Sequence, residues 1–141
     1  MGMRIALAKS AAEIEACFPV MKELRPQYDV QSFVEQIPRQ QQEGYRLAYL
    51  EDEGSVVAVA GFRISLSLAW GRFLYVDDLV TQPGGRSKGY GRSLLKWLAD
   101  HARENSCGEL HLDSGVQRYG AHRFYLAHRM DITCHHFALK L

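Results

Sequence analysis

Apolar and polar positions change their period several times along the chain, and each change marks an element. "MRIALAK" at 3–9 alternates and predicts a first strand. In the stretch that follows, Ile14, Cys17, Phe18, Met21 and Leu24 recur at three- and four-residue spacing, which predicts a helix closed by Pro26. Ser10 and Glu13 stand three apart at its start. That is capping-box spacing: the Ser10 hydroxyl accepts from the Glu13 N–H, and the Glu13 carboxylate reaches back. A second helical stretch covers roughly 31–43, with Phe33, Val34 and Ile37 apolar. Pro38 is expected to kink or split it, because proline removes one donor and crowds the preceding turn.

From Tyr45 the period falls to two. The runs 45–52, 55–71 and 72–81 predict an antiparallel meander of three strands, with a turn at "EDEG" and a bulge or bend at Gly61. A helix then buries Leu94, Leu95, Leu98 and Ala102 and leaves Arg92, Lys96, Asp100 and Arg103 to water. "ELHLDSG" reads as a strand, "RYGAHRFYLAHRM" as a short helix and "DITCHHFALKL" as a closing strand. Strand, helix and strand after residue 73 imply one parallel crossover. The expectation is a single mixed α/β domain over residues 1–141. Its central sheet is mostly antiparallel, with helices on both faces.

Composition narrows the classes. A chain of 141 residues, 47% hydrophobic and 23% charged, suits a soluble globular domain. A net charge of +1 gives no reason to expect nucleic acid or an acidic membrane surface as partner. No apolar run approaches the ~20 residues that span a bilayer. Cys17, Cys107 and Cys134 are odd in number and far apart, which argues for a cytoplasmic setting and against a disulfide framework. His135 and His136 would point to opposite sides of a strand, and His122 and His128 to different helix faces, so no metal site is expected.

The candidate chemistry lies in "VTQPGGRSKGYGRSLLKW", residues 80–97. The first turn of a helix has N–H groups without partners and a positive dipole end. Glycines let an anion approach those groups, and Gly89 and Gly91 stand where the helix begins. Arg86, Lys88 and Arg92 add positive charge, so a pyrophosphate is the natural guest. Neither GxxxxGK[ST] nor GxGxxG is present. What stands is Arg86-x-x-Gly89-x-Gly91.

In that motif, and in the order of elements around it, the sequence resembles the Gcn5-related N-acetyltransferase (GNAT) superfamily, whose phosphate-binding motif is [QR]xxGx[GA]. The resemblance spans nearly the whole chain. It implies the GNAT fold and an acetyl-CoA-dependent transfer to a primary amine of a small molecule or protein; the alternative is a non-catalytic CoA-binding sensor of the same fold. It implies that the backbone of Arg86, Ser87, Lys88, Gly89, Tyr90, Gly91, Arg92 and Ser93 holds the pyrophosphate, and that Leu79, Val80 and Thr81 meet the pantetheine at a splayed edge facing residues 110–114.

The family commonly places a tyrosine on the helix after that cleft to protonate the leaving sulfur, and Tyr125 takes that position. A phenol with a pKa of about 10 stays protonated at neutral pH. Some relatives use a carboxylate of the motif strand as base. Asp77 and Asp78 are the candidates here, with side chains expected on opposite faces of the strand. The chain departs from the family's Asn-x-x-Ala at Arg118–Ala121 and from its Gly-Phe at Arg129–Met130. In this family the acceptor enters between the N-terminal helices and the meander, where Tyr28, Tyr45, Trp70, Phe73 and Tyr75 could line a pocket. Relatives commonly dimerise, which extends the expectation to a homodimer through the C-terminal strand.

Overall fold

A computed structural model describes residues 2–141, with the side chains of Arg86 and Ser87 outside the described set. Strands β1 (Met3–Leu7), β2 (Arg46–Asp52), β3 (Ser55–Ser67), β4 (Gly71–Thr81) and β5 (Glu109–Leu112) form one sheet in the order β1-β2-β3-β4-β5. The pairs β1–β2, β2–β3 and β3–β4 are antiparallel. Helices α1 (Ala11–Leu24) and α2 (Val30–Gln42) lie between β1 and β2, and α3 (Tyr90–Glu104) between β4 and β5. The chain divides into two compact units, one ending at His111 and one covering Leu112–Leu141.

The first unit is a sheet sandwiched by helices because its strands alternate apolar side chains to both faces. Tyr45, Leu47, Tyr49 and Val59 pack with Ile14, Cys17, Phe18 and Met21 of α1 and with Phe33 and Ile37 of α2. The opposite face carries Phe62, whose ring lies 6.2 Å from Trp97 and 5.4 Å from His101 of α3. Leu94, Leu95, Leu98 and Ala102 of α3 are buried, as their spacing predicts. Helices on both faces of a mostly antiparallel sheet are therefore observed.

Two expectations are corrected. The split expected at Pro38 does not occur: helix α2 is continuous from Val30 to Gln42. Pro38 is exposed, as is Pro19 inside α1, so water can replace the backbone bond that each ring removes. The strand expected over residues 131–141 is absent: those residues belong to no helix or strand and are exposed. A strand exists only with a ladder partner, and no described segment pairs with this one. In the second unit, α4 (Tyr119–Ala127) forms where the sequence places a helix.

Candidate active site

The entrance to α3 differs from those of the other helices. After β4 the chain makes a 3-10 turn, Pro83–Lys88, and reaches Gly89 with φ 76° and ψ 17°, a left-handed conformation that favours glycine. Gly89 is the N-cap, and no side chain among the described residues caps the helix. The Ser93 N–H is committed to the Gly89 carbonyl at 3.0 Å, so the first-turn amides without an acceptor inside α3 are those of Tyr90, Gly91 and Arg92. A Cβ built at Gly89 would meet no described atom within 4 Å. Lys88 and Arg92 are exposed and form no ion pair among the described residues. Arg86 and Ser87, both expected to hold phosphate, have side chains outside the described residues.

Tyr90 points the other way. Its ring is buried, and its hydroxyl donates to the Asp52 carboxylate at the end of β2, which pins the first turn of α3 to the sheet. That bond raises the phenol's pKa above its ordinary value. A Cβ at Gly85 would lie 2.7 Å from the Tyr90 ring, so glycine is required there for close approach.

Leu79, Val80 and Thr81 pair with Ala60, Val59 and Ala58 of β3. On the other side of β4, the Gly108 N–H bonds the Arg72 carbonyl at 2.9 Å where β5 begins. Since β5 has four residues and β4 eleven, β5 stops short of Leu79–Thr81. The outer main-chain edge of these three residues is left without a strand partner among the described residues.

Asp77 and Asp78 do not face opposite ways. The β3–β4 register passes from Phe62↔Val76 to Gly61↔Asp78, so Asp77 is the extra residue of a bulge. Both carboxylates line one cavity of about 410 Å³, together with Met21, Arg25, Tyr28, Phe33, Glu43, Tyr45 and Arg63. The bulge breaks the two-residue alternation that sequence reasoning relies on. Arg63 grips Asp77 with two bonds of 2.7 and 2.9 Å, and the pairing raises the guanidinium pKa. Arg25 donates from Nε to Asp78 Oδ1 at 2.8 Å and from Nη2 to the Asp77 carbonyl at 3.0 Å. The Tyr45 hydroxyl donates to Asp78 Oδ2 at 2.8 Å.

Of the expected aromatic lining, Tyr28 and Tyr45 belong to this cavity. Trp70 instead stacks on His111 at 3.6 Å, with Phe73 against it at 4.9 Å. Tyr75 lies under the Arg63 guanidinium. Sequence reasoning missed Arg25 and Arg63, since nothing in their local pattern separates them from solvated arginines. In the second unit, Tyr125 is half-buried on α4. Burial raises the pKa of its phenol, and the nearby Arg118 pulls the other way.

Comparison with known proteins agrees with this layout. Residues 9–129 match the acetyltransferase (GNAT) family model. The chain is 38% identical over 117 residues to the uncharacterized N-acetyltransferase YhdJ of Bacillus subtilis, a match covering 82% of each. Its fold is similar to that of a ribosomal-protein-alanine N-acetyltransferase from Brucella melitensis, with TM-score 0.84, 18% identity and coverage of 99% and 100%. It is also similar to an aminoglycoside N-acetyltransferase in complex with CoA, with TM-score 0.84, 12% identity and coverage of 100% and 97%. An open helix mouth beyond a strand with a free edge, together with these matches, shows that the chain belongs to the GNAT acetyltransferase family.

Proposed function

We propose that the protein is an acetyl-CoA-dependent N-acetyltransferase acting on a primary amine of a small molecule. The uncapped, glycine-led start of α3 carries this reading. Bound acetyl-CoA would supply an acetyl group activated as a thioester. The Gly91 and Arg92 amides, with the Lys88 and Arg92 side chains, hold its diphosphate by partnerless N–H groups and positive charge. The free edge of Leu79–Thr81 offers main-chain donors and acceptors to the pantetheine amides.

The acceptor sits in the cavity walled by Asp77 and Asp78, whose volume of about 410 Å³ suits a small molecule. Holding both reactants side by side supplies much of the rate. The amine nitrogen attacks the thioester carbonyl, a C–N bond forms and the C–S bond breaks. Tyr125 protonates the departing sulfur and regains its proton from water. Every oxygen of Asp77 and Asp78 already accepts from Arg63, Arg25 or Tyr45, so these carboxylates seat the amine, and the proton it loses passes to water.

The test is thiol release from acetyl-CoA with ethanolamine, spermidine and kanamycin as acceptors. Tyr125→Phe should lower kcat about 100-fold and leave CoA affinity unchanged. Wild-type kcat in that variant would remove Tyr125 from the mechanism. Tight CoA binding with no turnover on any amine would make the protein a CoA-binding module instead.

A further inference from the structure

The space at Gly61 is filled by another residue. A Cβ placed there would lie 1.7 Å from Tyr45 Oη, 2.3 Å from Tyr45 Cζ and 2.6 Å from Asp78 Oδ2. The missing methyl is thus where the phenol lies, and where that phenol meets the carboxylate. Tyr45 itself is 2% exposed, and its N–H bonds the Gln40 carbonyl at 3.0 Å, so the ring has a fixed origin. Burial, then the Asp78 charge, raises the Tyr45 pKa well above its ordinary value, so the hydroxyl remains a donor throughout the working range.

The two cavity carboxylates are held differently. Asp77 is gripped by Arg63, its near neighbour on the same strand pair, and its side chain is 28% exposed. Asp78 is 12% exposed and is fixed from two separate directions. Tyr45 approaches from the foot of β2, and Arg25 from the end of α1. Arg25 also ties down the carbonyl of the bulge residue. A phenol that merely needed a partner would not require a glycine in the middle of β3, where glycine weakens a strand.

We propose that Tyr45 and Gly61 are positioning residues for acceptor recognition: the gap at Gly61 lets the Tyr45 hydroxyl fix Asp78 on the cavity wall, where its carboxylate meets the acceptor amine. This rests on the acetyltransferase reading above. Tyr45 does not touch the reacting atoms; it sets the angle and place of a group that touches the acceptor. Arg25 shares the task from the other oxygen.

The experiment compares wild type, Tyr45→Phe and Arg25→Gln in steady-state kinetics, with whichever of ethanolamine, spermidine and kanamycin the wild type turns over fastest. Tyr45→Phe keeps the ring and removes only the donor. It should raise the acceptor KM about tenfold, the loss expected for a hydrogen bond to a charged group, and leave the acetyl-CoA KM within about twofold. Arg25→Gln, at a half-buried position, should show the same split. Gly61→Ala should add a loss of melting temperature to it; if that variant does not fold, the other two still decide. An unchanged acceptor KM in Tyr45→Phe, or a parallel fall in affinity for both substrates, would overturn the proposal. No turnover by the wild type on any amine would remove the acetyltransferase reading and this inference together. Turnover with no split removes this inference alone.

Discussion

At the start of α1 the Glu13 N–H bonds the Ser10 hydroxyl at 3.1 Å, and Glu13 returns the favour to the Ser10 N–H at 2.9 Å. At the start of α2, Asp29 and Ser32 do the same at 2.8 and 3.0 Å. At the start of α3 there is a glycine in a left-handed conformation and no capping side chain among the described residues. The three helices have similar lengths and all pack on the sheet, so packing does not explain the difference. Two of them spend their terminal donors on the chain's own side chains. The third has no side-chain cap among the described residues, and its first turn is tied to the sheet by the Tyr90–Asp52 bond one residue on.

The comparison can be broken most strongly at Gly89. Gly89→Asp places a carboxylate at the open mouth and forces a side chain into a left-handed backbone, which costs ~1–2 kcal/mol for most residues. We expect CoA affinity, read by titration calorimetry, to fall at least tenfold. A variant that bound CoA as well as wild type would mean that the diphosphate lies elsewhere. The reverse experiment is Ser10→Ala. Losing that cap should cost ~1 kcal/mol, or roughly 3 °C of melting temperature in a chain of this size, with CoA affinity unchanged.

The smallest effect sharpens the comparison through pH. Glu13 accepts from the Ser10 and Lys9 amides and from the Tyr49 hydroxyl, which lowers its pKa from 4.5 to about 2. A carboxylate whose folded pKa is depressed adds stability above its unfolded value and loses it as pH falls toward the folded one. The melting-temperature gap between wild type and Glu13→Gln should therefore be full above pH 4.5 and close as pH falls to about 2. CoA affinity should not differ between the two at neutral pH. A gap that stayed constant with pH would mean that the capping box contributes through packing alone.

Elements fixed by local chemistry were readable from the residues. The Ser10–Glu13 box, the meander from Tyr45 and the glycines before α3 each depend on spacing within a few positions. The bulge at Gly61 was also readable, but its consequence was not. Gly61 lies seventeen positions from Asp78, and only pairing across β3 and β4 shows that Asp77 is the unmatched residue and that both carboxylates share one wall. The arginines at 25 and 63 were illegible for the same reason: an arginine's partner is set by tertiary approach. The alternation of "DITCHHFALKL" describes what the segment could do beside another strand, and carries no information on whether such a strand exists. Pro38 and Pro19 were misjudged, or passed over, because the cost of a proline in a helix depends on whether water can reach the bond it breaks.

The phenol lodged in the place of a side chain at position 61 has an evolutionary corollary. Positions 45 and 61 behave as one unit of volume shared between two strands. Relatives that carry a side chain at the second should have surrendered the aromatic ring at the first, and the two should change together even where the rest of the cavity drifts. An acceptor pocket that diversifies across a lineage would then do so in discrete steps, each set by which of the two residues holds the shared space.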